Sequence, residues 1–334
     1  MNSLDYVLLI FILVNLFLVI NFNKLLFFHN ILDKPDKKRK FHLKSTPLAG
    51  GIILTINLMV YFITTSLNKE LLLSEIFFSN NFELYIFMFS AFIIFSIGLF
   101  DDKYNLTPNY KFLLLSIIVF ITLILDQKLI ISSINFSFYY ESINMGKYSL
   151  FFTFFCFLVF LNAFNMFDGI NLQASIYSII TFFFILFFYT NSYLVKILLI
   201  FLIFFSYLNY KNKSFLGDGG SLLISFLISY IFIKLYNIGQ IKYADEIFIF
   251  MMVPGIDLIR VFFKRLLNNK NPLRPDRTHF HHLLSLKFTY LKSLIIIQLI
   301  IIIPIILSFL NISSLFVIFT TIFCYCIIIS TLNK

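Results

Sequence analysis

Stretches of about 20 apolar residues recur from one end of this chain to the other, and they limit its fold more than any single motif does. A bilayer core takes about 20 residues of α-helix. Backbone polar groups inside that core must be satisfied within the segment, which favours helices for runs of this kind. Such runs fall at roughly 6–28, 47–66, 83–100, 111–126, 149–166, 172–190, 194–210, 220–236, 246–263, 292–311 and 313–331. The first is too long for a signal h-region, has only Asp5 as a nearby charge and is followed by no small-residue cleavage site, so it reads as an uncleaved helix. Pro47, Pro254 and Pro304 are expected to kink helices or mark their starts. Residues 127–148 are less apolar and read as a loop, with alternation near Ile131–Tyr140 that suggests a short hairpin.

The expected fold is therefore all-α: a polytopic integral membrane protein of about eleven transmembrane helices, with residues 1–334 forming a single transmembrane domain. Composition agrees. The 334 residues are 60% hydrophobic and 13% charged, too few charges to cover a soluble core and too much apolar surface for disorder. The 48 phenylalanines carry no function in this reading, because a lipid-facing helix accepts Phe, Ile or Leu almost interchangeably. Cys156, Cys324 and Cys326 all lie in apolar runs and read as small buried hydrophobes, neither a disulfide framework nor a metal site.

A net charge of +10 would ordinarily raise nucleic acid as a partner. Here the basic residues sit in short loops between apolar runs, which is the pattern of membrane topology. Eighteen of the 26 Lys and Arg residues fall in the loops after spans 1, 3, 5, 7 and 9 and at the C-terminus, and four fall on the opposite face. The N-terminus is therefore expected outside, the C-terminus in the cytoplasm, and no nucleic acid is expected to bind.

An ionisable group at membrane depth costs about 2.5–3.5 kcal/mol at a helix centre, so acids kept beside apolar runs are candidates for function. Four clusters stand out. Asp101-Asp102, followed by Lys111, sets two adjacent carboxylates that need a nearby cation to ionise together. Asn162, Asn165 and Asp168 recur every three residues and share a helix face. Asp218 lies in Gly217-Asp218-Gly219-Gly220-Ser221, where glycines admit close backbone approach and a helix start favours an anion. Arg274, Arg277, His279, His281 and His282 combine phosphate-binding and metal-binding side chains. Taken singly, each also reads as an ordinary polar helix end, cap or basic loop. Counting spans puts all four on the cytoplasmic face, where they suit a divalent ion with phosphates and a lipid substrate.

The same residues carry a resemblance. The chain resembles the polyprenyl-phosphate N-acetylhexosamine-1-phosphate transferases, a superfamily that includes initiators of O-antigen, common-antigen and teichoic acid chains and the MraY translocase. The likeness runs from Arg39-Lys40-Phe41-His42 and Thr46-Pro47-Leu48-Ala49-Gly50-Gly51 through the acidic clusters to Arg277-Thr278-His279-Phe280-His281-His282. The last loop looks more like the common-antigen and O-antigen initiators, the undecaprenyl-phosphate GlcNAc-1-phosphate transferases, than like MraY. The resemblance implies an inner (plasma) membrane enzyme, its active site formed by cytoplasmic loops, and leaves room for a homodimer. A UDP-activated amino sugar would give its sugar 1-phosphate to polyprenyl phosphate, releasing UMP, with Mg²⁺ or Mn²⁺ as cofactor. It implies Asp218 as metal ligand, helped by Asn162 or Asn165; Asp101 and Asp102 near the lipid phosphate; and Lys111 on pyrophosphate oxygens. Asp168 would place nucleotide or metal, and Arg274, Arg277, His279, His281 and His282 would bind the donor. One departure follows Asn171, where the family commonly continues with Gly-Leu and another Gly and this chain reads Leu172-Gln173-Ala174-Ser175.

Three alternatives remain at this stage. An MraY-type phospho-muramoyl-pentapeptide transferase would share the chemistry. A transporter predicts polar residues spread through mid-membrane helices, whereas here they cluster at helix ends. A catalytically dead relative is motivated by the departure after Asn171.

Overall fold

In a computed structural model, the residues described are 3–25, 31–33, 45–271, 277–310 and 312–332. Arg274, the first half of the last basic loop, and the basic segment 34–44 lie outside them. The chain is an all-α integral membrane protein. Eight of the described helices are long and apolar enough to cross a membrane. The chain divides into two compact units, residues 1–126 with 178–227, and residues 127–177 with 228–334.

The first unit holds α1 (Ser3–Ile20), α2 (Gly50–Leu67), the short α3 (Lys69–Ser74), α4 (Asn81–Tyr104), α5 (Pro108–Leu125), most of α7 (Gln173–Phe188), α8 (Tyr193–Tyr210) and the start of α9 (Gly217–Asn237). Local chemistry sets the ends. Asn80 accepts a bond from the Glu83 amide to open α4, and Asn105, with φ 52°, closes it in the left-handed conformation that Asn tolerates. Pro108 opens α5, where its missing N–H costs nothing. Glu75 reaches across to accept from Ser192 Oγ and the Leu194 amide, capping α8 from a distance in sequence. Burial pushes its carboxyl above the usual range.

Inside this unit a buried pair, Asn15 and Asn57, joins α1 to α2 by reciprocal amide bonds of 2.7 and 3.2 Å. The strands β1 (Leu32–Asp33) and β2 (Thr46–Pro47) pair antiparallel, and the amides of Gly50 and Gly51 donate to the carbonyls of Phe215 and Leu216. These bonds fasten the start of α2 beside the start of α9.

The second unit holds the hairpin β3 (Ser133–Phe136) and β4 (Tyr139–Asn144), α6 (Ser149–Phe167), the first turn of α7, the end of α9, α10 (Ala244–Leu267), α11 (Phe280–Lys287), α12 (Tyr290–Phe309) and α13 (Ser314–Leu332). Helix α10 packs on α6, α12 and α13, and α11 sits against α12 and α13. Asp245 at the start of α10 accepts from the Ser137 amide and hydroxyl, at 2.8 and 2.6 Å, and so holds the hairpin tip. The hairpin therefore meets the end of this unit opposite to Asp168, which lies about 28 Å along α6 at 1.5 Å per residue.

Each expected span coincides with a helix, with three differences. Helix α1 stops at Ile20, short of the expected residue 28, because Asn21 folds its amide back on the Phe17 carbonyl and a 3₁₀ turn follows at Phe22–Lys24. Pro254 and Pro304 lie inside continuous helices, while Pro47 belongs to β2 and precedes α2 by three residues. Helix α10 is more charged than the eight apolar spans, with Asp245, Glu246, Asp257, Arg260, Lys264 and Arg265. The cysteines are unpaired, as expected, but Cys324 and Cys326 are exposed, not buried. They sit on α13, whose apolar stretch is only 22% buried against 94% for α9.

Candidate active site

In the first unit, the Asp101-Asp102 pair closes α4, and a three-residue turn brings α5 back beside it. That return puts Lys111 Nζ 2.8 Å from Asp101 Oδ2 and 2.9 Å from Asp218 Oδ2. One ammonium thus bridges two carboxylates that are 117 positions apart in the chain. The other Asp101 oxygen accepts from the Leu106 amide at 2.7 Å. Asp218 has the most accessible side chain of the three, 36% exposed against 11% for Asp101 and 12% for Lys111. It is the member best placed to meet an incoming ligand.

Asp102 does something the sequence did not reveal. Its two oxygens accept from the amides of Asp218 and Gly219, at 2.8 and 3.1 Å. The start of α9 is therefore capped by a carboxylate of α4. The group that this helix start meets is thus the Asp102 carboxyl. Glycines make the approach possible. A Cβ on Gly98 would lie 2.5 Å from the Asp218 carbonyl oxygen and 2.5 Å from the Gly219 Cα. Gly217 adopts φ +73°, and a Cβ there would lie 2.7 Å from Asp102 Oδ2.

In the second unit, Asn162 and Asn165 lie in the last two turns of α6 and Asp168 is its C-cap. Asn162 Nδ2 donates to the Leu158 carbonyl at 2.8 Å, so its amide oxygen is the end turned away from its own helix. Gly169 lies directly under the His281 imidazole, where a Cβ would fall within the ring. Tyr290 Oη donates to the Asn171 carbonyl at 2.8 Å. Leu172, where the resemblance would place a Gly, adopts φ +64°. That left-handed conformation costs a non-glycine residue about 1–2 kcal/mol, so the backbone keeps a glycine-like turn without the glycine.

The histidines divide. His279 is 5% exposed and His281 2% exposed. Their rings lie parallel, 6.0 Å apart, and His281 and His282 are 4.1 Å apart by ring centroid. Burial, then the neighbouring His282 and His279, hold the His281 imidazole well below its ordinary pKa, against a smaller opposing pull from Asp257. His279 Nδ1 is 2.8 Å from Asp257 Oδ2, and its Nε2 is 3.4 Å from Arg265 Nη2. Asp257 Oδ1 accepts from Arg260 Nη2 and Tyr325 Oη, each at 2.6 Å, and from the Phe280 amide at 3.1 Å. Arg277 is half-buried.

Sequence reading missed Asp257, Arg260, Arg265 and Tyr325. The signal was present: an acid and an arginine three residues apart within an apolar helix stretch.

The metal question turns on the donor set. Among the described residues no group of three or more His, Cys, Asp or Glu is arranged to hold a metal ion. Lys111 stands where the Asp101 and Asp218 oxygens converge. The two carboxylates are hard oxygen donors, with a formal charge of −1 once Lys111 is counted, which suits a hard divalent cation and not a soft one.

Residues 84–236 match the family described as glycosyl transferase family 4. The match includes Asp101, Asp102, Lys111, Asn162, Asn165, Asp168 and Asp218; the His loop lies beyond it. The chain is similar to the undecaprenyl-phosphate alpha-N-acetylglucosaminyl 1-phosphate transferase of Salmonella typhi, 25% identical over 286 residues, 80% of this chain and 73% of that protein. The protein of the same name from Escherichia coli K12 is 26% identical over 289 residues, again 80% and 73%. A probable undecaprenyl-phosphate N-acetylglucosaminyl 1-phosphate transferase of Bacillus subtilis is 27% identical over 279 residues, 80% and 74%.

Proposed function

We propose that this chain, an integral-membrane enzyme whose residues 84–236 match the glycosyl transferase family 4 model, moves an N-acetylhexosamine 1-phosphate from a UDP-sugar to polyprenyl phosphate. A lipid phosphate oxygen attacks the phosphorus that bears the sugar. The bond from that phosphorus to the bridging oxygen breaks, UMP leaves with that oxygen, and polyprenyl-pyrophosphate-sugar forms. A phosphate monoester is already largely dianionic at neutral pH, its second pKa being about 6. The attacking group therefore needs positioning and charge relief more than a base.

The observation that carries this reading is the Lys111 bridge between Asp101 and Asp218, beside a helix start whose amides are filled by Asp102. Asp102 fixes the backbone of α9 and through it the direction of Asp218. Lys111 offers one positive charge to either carboxylates or phosphate oxygens. Lys111 can exchange its bond to Asp218 for one to diphosphate oxygens, and Asp218 would then have an oxygen to offer a divalent ion. Asp101, held by the Leu106 amide, stays beside the acceptor phosphate. A bound Mg²⁺ or Mn²⁺ would supply charge neutralisation on the diphosphate, with Asp218 and the amide oxygen of Asn162 or Asn165 as its protein ligands. Asp168, Arg274, Arg277, His281 and His282 take the nucleotide-sugar. The charge distribution in the loops favours eleven crossings and a cytoplasmic site.

The test is UMP release by purified protein with undecaprenyl phosphate, Mg²⁺ and a panel of UDP-N-acetylhexosamines. UMP should appear with at least one donor, and Asp218→Ala should lower turnover by at least 100-fold at unchanged expression. A folded protein that releases no UMP with any donor overturns the reading.

A further inference from the structure

We propose that Asp257 is a positioning residue that fixes His279 as its Nδ1-protonated tautomer, and that His279 anchors the donor loop instead of touching the donor. The inference rests on the reading above only in calling this the donor loop. It draws on side chains that lie outside the matched family region.

The tautomer follows from hydrogen-bond capacity. A guanidinium has donors and no acceptor, so the His279 nitrogen facing Arg265 Nη2 at 3.4 Å must be the one with the lone pair. That nitrogen is Nε2, which leaves the proton on Nδ1. Asp257 Oδ2, 2.8 Å away, is there to receive it. With both nitrogens engaged and the residue 5% exposed, His279 has no ring atom to offer a phosphate.

The carboxylate is itself immobilised, and asymmetrically. Its other oxygen takes three donors: Arg260 Nη2, Tyr325 Oη and the Phe280 amide. Arg260 closes the ring, donating from Nε to Tyr325 Oη at 2.8 Å and from Nη2 to the Thr278 carbonyl at 2.6 Å. Residues 278, 279 and 280 are therefore each tied to α10, and α13 is tied in through Tyr325. His281 follows directly, stacked parallel to His279 and seated on Gly169. A turn of the His279 ring would carry His281 and His282 with it.

The asymmetry gives a sharp test. In Asp257→Asn the three donors retain the amide oxygen at the Oδ1 position. The NH₂ must then face His279 Nδ1, which has to become an acceptor. The proton moves to Nε2, where it meets the Arg265 donor. In ¹⁵N-histidine-labelled protein in micelles, His279, assigned by its loss in His279→Gln, should be Nδ1-protonated in the wild type. It should be inverted in Asp257→Asn, with KM for the UDP-sugar raised at least tenfold and kcat changed less. Adding Arg265→Gln, whose amide oxygen can accept from Nε2–H, should recover a large part of the KM loss.

An Nε2-protonated His279 in the wild type overturns the proposal without any variant. So does an Asp257→Asn protein with unchanged tautomer and KM, or a double variant no better than the single. If Asp257→Asn fails to fold, the wild-type spectrum alone decides. The spectrum needs no turnover, so an inactive enzyme with the expected tautomer would sink the proposed function and leave this inference standing.

Discussion

A single methyl group separates two helical glycines. At Gly98 a Cβ would meet backbone atoms of α9 at 2.5 Å, which neither helix can yield without separating; at Gly255 it would meet nothing within 4 Å. Gly98→Ala should cost about 1–3 kcal/mol of stability as an overpacked contact. It should also lower activity, because the displaced helix carries Asp218. Gly255→Ala should gain about 0.5–1 kcal/mol from helix propensity. Thermal unfolding in detergent, read with UMP release, checks both; equal effects would mean that α4 and α9 are not in close contact. His281 makes a second prediction at this scale. Its folded pKa lies below the ordinary 6.5 because the ring is buried. Above that pH neither state binds the proton. Below it the unfolded chain takes one up that the folded chain resists, so stability falls, at most by about 1.4 kcal/mol per pH unit. Between pH 7.5 and 5.5 the melting temperature should drop more steeply in the wild type than in His281→Asn. Parallel curves would show that His281 is not a buried neutral group.

At the scale of elements, the N-terminus of α9 is completed by a side chain of another helix. Both Asp102 oxygens accept backbone amides, and Asn has only one acceptor. Asp102→Asn should therefore cost about 0.5–2 kcal/mol, the usual value of a helix cap, and should loosen Asp218. Turnover should fall with the melting temperature; full activity with an unchanged melting temperature would remove Asp102 from this role. The limits of sequence reading show here. Asp101, Asp102 and Asp218 were legible as candidates because acids at the ends of apolar runs are costly. That Asp102 caps α9 was not legible, since it depends on a pairing across 116 positions that no local pattern encodes. The helices themselves were legible for the opposite reason: their apolar length is a local property. The His loop was legible as a cluster, but the engagement of both His279 nitrogens was hidden in α10 and α13, where Asp257 and Tyr325 pass for ordinary span residues.

At the scale of the molecule, orientation rests on charge. Eighteen basic residues on one expected face against four on the other make a strong bias, since Lys and Arg in short loops resist translocation. The bias assigns Lys213, in the loop between α8 and α9, to the cytoplasm. Lys242, between α9 and α10, falls outside, together with the hairpin and its Lys128 and Lys147. Both lysines are exposed, so each can report its side. In a background of Cys156→Ser, Cys324→Ser and Cys326→Ser, a Lys242→Cys variant should react with a membrane-impermeant maleimide added to intact cells whose outer barrier has been opened. Lys213→Cys should react only after the membrane is permeabilised. UMP release by each variant shows that the fold is kept. The reversed pattern would move Lys111 and Asp218 to the outer face, away from any cytoplasmic UDP-sugar, and would overturn the cytoplasmic site along with the orientation. Labelling of both variants in intact cells would break the alternation of the spans on either side of α9. Helix α9 alone separates the two lysines, so that result would mean that α9 does not cross the membrane.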